Sequence, residues 1–193
     1  EDLTEGDNAA HQCIEAMYAT MSRATSLISR IMAFSRQQNL SPVPTAIDNM
    51  IEELTTIFQR MLGATIALHT FFEPNIGFAL IDVPQFENAL LNLIVNAQHA
   101  MPTGGSLVID VASFTQNAAY IDQGEVLDPG EYIRVTVTDT GAGMTAEVLK
   151  RVFEPFFTTK DVGEGSGLGL SMVFGFIRQS NGHITISSEV GKG

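Results

Sequence analysis

Between Ile14 and Met32 the apolar positions recur at helical spacings, at Ile14, Met17, Tyr18, Met21, Ile28, Ile31 and Met32. Arg23, Arg30 and Arg36 occupy other faces. The pattern predicts one long amphipathic helix, roughly Asn8 to Gln38, whose apolar stripe must be covered by another helix of the chain or by a second chain. Asn39-Leu40-Ser41-Pro42-Val43-Pro44 comes next. Closely spaced prolines end a helix and predict a stiff, extended linker.

From Thr45 onward the pattern alternates between helical and strand periods. Ile47 to Leu62 reads as a helix stopped by Gly63. Thr65–Glu73 and Ile76–Ile81 read as strands around a turn containing Asn75. Phe86–Met101 is a second helix, ended by Pro102 and the Gly104-Gly105 turn. Ser106–Thr115 and Glu131–Asp139 read as strands, with a polar loop between them. A short helix after Thr145, a glycine-rich loop, a helix over Gly167–Gln179 and a strand over His183–Ser188 complete the chain. This order predicts a layered α/β domain over residues 45–193, preceded by a separate helical unit over 1–44.

Composition narrows the function. The 193 residues are 45% hydrophobic and 17% charged, enough apolar content for a substantial core, so a wholly disordered chain is excluded. Ten Lys plus Arg stand against 22 Asp plus Glu, a formal charge of −12, which argues against nucleic acid as a partner. A single cysteine, Cys13, rules out an internal disulfide and fits a reducing compartment. No apolar run approaches the ~18 residues of a membrane helix. The chain opens at Glu1 rather than Met and reads as part of something longer.

Three stretches carry candidate chemistry. Along the apolar helix from Phe86, Asn88, Asn92 and Asn96 recur every four residues, with His99 three further on. That spacing lines amides along one face. An amide oxygen is a hard donor suited to Mg²⁺, which also takes phosphate oxygens, although a solvent-facing polar stripe would look the same. Asp139-Thr140-Gly141-Ala142-Gly143-Met144 places a carboxylate at a strand end before two glycines, able to accept from a ligand amine, but also able to be a simple turn. Gly163-Glu164-Gly165-Ser166-Gly167-Leu168-Gly169-Leu170 opens a helix with bare backbone amides, an anion cradle that matches neither the Walker nor the dinucleotide fingerprint. Between the last two, Phe153-Glu154-Pro155-Phe156-Phe157-Thr158-Thr159-Lys160 suits an aromatic-anchored hinge. No Lys or Arg occurs between Met61 and Ile133, whereas Lys150, Arg151 and Lys160 gather beside the glycine loop, where a polyanion would be tolerated.

Taken in order, these motifs resemble the catalytic, ATP-binding domain of sensor histidine kinases, a branch of the Bergerat-fold ATPases. Asn92–Ala97 resembles the N box, Asp139–Met144 the G1 box, Phe153–Lys160 the F box and Gly163–Leu170 the G2 box. Ala33-Phe34-Ser35-Arg36 resembles the end of the second helix of the dimerisation hairpin, in wording similar to hybrid-type kinases. The resemblance implies a two-layer α/β sandwich, with a mixed sheet and helices on one face, behind one long hairpin helix. The first hairpin helix and a final strand would lie outside the chain. It implies Mg-ATP binding and transfer of the γ-phosphoryl to a histidine on that first helix.

By the same resemblance, Asn96 would ligate Mg²⁺, Asn92 and Lys160 would contact phosphates, and Asp139 would accept from the adenine amino group. Gly141 and Gly143 would shape the adenine pocket, and Gly165, Gly167 and Gly169 would line the phosphates. Ala97, His99, Ala100, Met144, Thr158, Thr159, Ser166, Leu168 and Leu170 complete the expected binding set. Expected partners are ATP or ADP, a second copy in the full-length protein, and a response regulator or receiver domain. Neither nucleic acid nor a membrane contact is expected from this stretch. The expected location is cytoplasmic, with room for a membrane anchor in the full-length protein.

Two positions depart from the family pattern. His99 stands where many members carry Lys or Arg. The phosphoacceptor signature, a His followed by an acidic residue, is absent, since His11, His69, His99 and His183 precede Gln12, Thr70, Ala100 and Ile184. Alternatives are an ATPase of the same fold and a non-catalytic docking module. An ATPase of this kind places a Glu four residues before the metal-binding Asn, where this chain has Asn92, with Glu87 nine residues before Asn96. Incubated with γ-labelled ATP, the chain should bind nucleotide without labelling itself. Acid-labile phosphate mapped to His11 would contradict this.

Overall fold

The structure, a computed structural model, describes residues 40–122, 125–160 and 165–193. The long helix expected over Asn8–Gln38 and the hairpin-end wording at Ala33–Arg36 lie outside these residues, as do Gly163 and Glu164. Leu40–Gly193 forms one compact unit.

Its elements are β1 (Val43–Thr45), α1 (Ile47–Leu62), β2 (Ile66–Phe72), β3 (Ala79–Ile81), α2 (Val83–Ala100), β4 (Gly105–Gln116), β5 (Tyr120–Asp122), β6 (Glu125–Leu127), β7 (Gly130–Asp139), α3 (Ala146–Leu149) and α4 (Gly169–Gln179). The central sheet has the order β2-β4-β7. It is mixed: β2 runs parallel to β4, and β7 antiparallel to it. Strand period two assigns its faces. Leu107, Ile109 and Val111 of β4 are fully buried, and their neighbours Leu68, Phe72, Val135 and Val137 pack against the same core. On the other face Ala67, His69, Phe71, Arg134, Thr136 and Thr138 are exposed.

Helical period builds the opposing layer. α1 contributes Ile47, Met50, Ile51, Phe58 and Leu62, and α2 contributes Phe86, Ala89, Leu90, Ile94 and Ala97. α4 adds Val173 and Phe176, and the Phe86 and Phe176 rings meet edge to face at 6.3 Å. The two-layer sandwich with a mixed sheet is therefore the observed architecture.

Capping sets α2 in place. Asp82 Oδ1 accepts from the Gln85 amide at 3.1 Å, its Oδ2 accepts from the Ser41 amide at 2.9 Å, and Pro84 needs no donor in the first turn. Beyond β2, Glu73 accepts from both the amide and the hydroxyl of Ser113, each at 2.6 Å. Those bonds, led by the hydroxyl, hold its carboxyl below the ordinary glutamate value.

Three local readings need correction. The stretch read as linker is a strand at its end: Val43–Thr45 pairs antiparallel with Ala79–Ile81, and Pro44 is tolerated because this is an edge pairing. The two strands around Asn75 are shorter than expected and do not pair with each other, because β2 joins β4 while β3 joins β1. The loop between β4 and β7 contains β5 and β6, whose three-residue strands are too short for a periodic signal. A fourth expectation also fails. His183–Ser188 is not a strand, although Ile184, Ile186 and Ser188 are half-buried and alternate with exposed Thr185 and Ser187. Alternation records one packed face, whereas a strand also needs a backbone ladder in register.

Phe58 is wholly buried between α1 and the sheet layer. Phe58→Ala should lower unfolding free energy by about 3–5 kcal/mol, the usual loss for a truncated core aromatic. A urea titration showing a loss below about 1 kcal/mol would remove Phe58 from the core.

Candidate functional site

The amide face of α2 points toward the start of α4. Asn88 is exposed, and Asn92 and Asn96 are half-buried. Asn92 donates its Nδ2 to the Asn88 carbonyl at 2.8 Å, which turns its Oδ1 outward from the helix backbone. A Cβ added at Gly169 would lie 3.1 Å from Asn92 Oδ1 and 3.7 Å from Asn96 Nδ2. The first residue of α4 thus sits against both amides, and a larger side chain there would crowd them.

β7 ends at Asp139, and the turn after it is pinned from several sides. Thr140 exchanges bonds with Ser106: its amide donates to the Ser106 carbonyl at 3.2 Å, and its Oγ1 accepts from the Ser106 amide at 3.0 Å. Asp139 Oδ1 accepts from the Gly141 amide at 2.8 Å, leaving Oδ2 outside that bond. The Ala142 amide donates to the Ala100 carbonyl at the end of α2, at 2.9 Å. A Cβ at Gly141 would fall 2.6 Å from Ala100 Cβ, so this position admits only glycine. Gly143 adopts a left-handed φ of 66° and faces the backbone at Glu189 and Val190. The Met144 amide donates to Ser188 Oγ, and the Gly191 amide to the Ala142 carbonyl, both at 2.8 Å.

The aromatic box closes onto the glycine loop. Phe153 packs against Phe174 of α4, the rings tilted by 33° with centroids 5.0 Å apart. Phe156 is 59% exposed and has a φ of 67°, which is strained for an aromatic residue. Its amide donates to the Gly167 carbonyl at 2.8 Å, and Gly167, with φ 63°, abuts the Phe156 backbone too closely for any Cβ. A Cβ at Gly165 would lie 2.7 Å from Thr158 Oγ1 and 3.1 Å from Lys160 Cδ. Lys160 Nζ reaches His99 Nδ1 at 2.8 Å, joining the end of the aromatic box to the last turn of α2.

The structure therefore brings together Asn92, Asn96 and Gly169; Ala100, Asp139 and Gly141; and His99, Thr158, Lys160 and Gly165, while Gly143 meets Glu189 and Gly167 meets Phe156. Thr159 is exposed and Leu170 half-buried, while Ala97 and Leu168 are buried. The hydroxyl of Ser166 accepts from the Leu168 amide at 3.4 Å. Of the three cations grouped by sequence, Arg151 is engaged elsewhere: it pairs with Glu154 at 2.9 Å and lies 4.3 Å over the Phe157 ring. Sequence spacing missed Ser188 and Gly191, which contact the turn from more than 40 residues away and carry no motif of their own.

Residues 81–193 match the family described as histidine kinase-, DNA gyrase B-, and HSP90-like ATPase. The chain belongs to that family. Among individual proteins it is similar to the sensor kinase CckA of Brucella abortus (strain 2308), at 41% identity over 176 residues, covering 89% of this chain and 18% of that protein. It is also similar to the sensor histidine kinase ZraS of Klebsiella oxytoca, at 29% identity over 193 residues, covering all of this chain and 38% of that protein. The chain thus spans well under half the length of these relatives.

Two solved structures share the fold. Full-length ShkA in complex with AMPPNP has a TM-score of 0.71 at 21% identity, covering 94% of this chain and 36% of that one. Histidine kinase ThkA in complex with the response regulator TrrA has a TM-score of 0.61 at 22% identity, covering 86% and 43%.

Proposed function

We propose that this chain is the catalytic core of a two-component sensor histidine kinase, binding Mg-ATP and transferring the γ-phosphoryl to a histidine on a hairpin helix outside it. The observation that carries the reading is that one helix, α2, presents Asn92 and Asn96 to Gly169 and holds the Asp139 turn at its end through Ala100. The compact unit over residues 40–193, a few residues longer than the expected 45–193, would be the ATP-binding domain, and the residues before it the second hairpin helix with its linker.

Asp139 would take the adenine amino group on the oxygen left outside its bond to Gly141. Gly141 and Gly143, which let the turn close onto Ala100 and Glu189, would shape the purine's pocket. Ala100 and Met144 would border it. Asn92, Lys160, Gly165, Gly167 and Gly169 would take the phosphates, with His99 holding Lys160 at the same edge. Ala97, Thr158, Thr159, Ser166, Leu168 and Leu170 would shape the surrounding walls.

The half-buried Asn96 amide offers a hard oxygen donor at the phosphate side, which fits Mg²⁺. A bound ion there would neutralise phosphate charge. The protein's own residues would supply positioning: they hold the nucleotide so that the phosphorus meets the imidazole nitrogen in line. The P–O bond to ADP breaks as the N–P bond forms. An imidazole is already a nucleophile, so no strong base is required. Accordingly, the position four residues before Asn96 holds Asn92, a neutral amide that cannot act as a base; one of its two N–H donors is bonded to the Asn88 carbonyl.

The ThkA complex with a response regulator supports a receiver as the phosphate's next partner. Dimerisation through the hairpin and a cytoplasmic location complete the reading. No described helix is long and apolar enough to cross a membrane.

Calorimetry with Mg²⁺ present tests the pocket. ATP and ADP should bind, and GTP should not, because its 6-keto oxygen would oppose the Asp139 carboxylate. Asp139→Ala should weaken ATP binding by about 10- to 150-fold, from the loss of a charged hydrogen bond of ~1.5–3 kcal/mol. Equal affinity for ATP and GTP would overturn the assignment.

A further inference from the structure

We infer that Ser188 is a positioning residue of the nucleotide site, holding the Gly143–Met144 peptide so that the Asp139 turn presents one wall to the purine. The inference rests on the nucleotide reading above and extends it to a residue outside every motif. The turn from Asp139 to Met144 contains two glycines, and Gly143 is left-handed. Such a segment has many accessible conformations and no side chain at Gly141 or Gly143 to choose among them. Its conformation must be imposed from outside.

The supports are individually visible. Ser106 holds Thr140, and Ala100 holds the Ala142 amide. Both belong to the strand and helix that flank the turn. The far half of the turn has a different support, the backbone around Glu189–Gly191. Gly191 donates to the Ala142 carbonyl, and the Glu189 carbonyl lies where a Gly143 side chain would be. Ser188 makes the side-chain bond in this group. Its hydroxyl donates to the Gly193 carbonyl at 2.9 Å, which aims an oxygen lone pair at the Met144 amide 2.8 Å away. The bonded groups are partly buried, so water is a poor substitute.

The bond also orients the next segment of the chain. Met144 precedes Thr145, whose Oγ1 caps α3 by accepting from the Val148 amide at 3.4 Å. α3 leads directly into the aromatic box. Ser188 therefore sets both the base-side wall and the direction in which the chain leaves it.

The test is calorimetric binding of Mg-ATP and of ADP to the wild-type chain, Ser188→Ala and Ser188→Thr, well below each protein's unfolding midpoint. Ser188→Ala should weaken both nucleotides equally, by about three- to tenfold, with one site per chain retained. Ser188→Thr keeps the hydroxyl and should restore the wild-type affinity. Equal losses for ATP and ADP take the effect away from the γ-phosphate, as a wall for the purine requires, and a purely structural role would lower the midpoint while leaving affinity unchanged. Wild-type affinity in Ser188→Ala would overturn the role of Ser188 alone. Failure of the wild-type chain to bind ATP would overturn the nucleotide reading and this inference with it. Hydrogen exchange needs no variant: the Met144 amide should be protected in the wild-type chain, and exchange at the rate of a free amide would also overturn the proposal.

Discussion

Everything at the site depends on how closely the Asp139 turn approaches the end of α2. The Ala142 amide reaches the Ala100 carbonyl at 2.9 Å, and Gly141 lies so near Ala100 that a methyl group has no room. Backbone meets backbone there, which only glycine permits. This one contact fixes the end of β7 relative to the amide face of the helix. It sets the distance between a carboxylate suited to a base and amides suited to phosphates and a metal ion. A side chain at Gly141 would push the two apart.

The phosphate side is built on a different principle. The protein is acidic overall and keeps few cations near the site. Arg151 is engaged with Glu154 and Phe157, so on the proposed reading the phosphate contacts would fall to backbone amides, neutral side chains and Lys160. Glycine backbone at a helix start attracts anions without a net charge. The Phe156–Gly167 bond joins the two ends of the loop that carries this backbone, and it tolerates a left-handed phenylalanine to do so. A strained residue at such a junction is the kind of cost that functional geometry imposes.

The sequence carried the long elements clearly. The α1 boundaries follow from helical period and a glycine stop, and the four motifs fall on α2, the end of β7, the aromatic segment and the start of α4. What it did not carry is pairing between distant backbone segments. Nothing in Val43–Thr45 announces Ala79–Ile81 as its partner, and Pro44 argues locally for a linker. His183–Ser188 has the alternation of a strand without its ladder. The contact between Ser188 and Met144 was invisible for a related reason. A serine that bonds a single amide 44 positions away leaves no periodicity or composition to read. Local rules see spacing along the chain, whereas the turn is held by the three-dimensional fold.

On the proposed reading, this site moves phosphoryl groups to histidine and does not hydrolyse ATP. The chain should be mixed with a dimeric hairpin bearing the acceptor histidine, Mg²⁺ and γ-labelled ATP, and the label followed over time. Acid-labile label should appear on the hairpin histidine, with little free phosphate. Steady release of labelled phosphate, with none retained on protein, would contradict it.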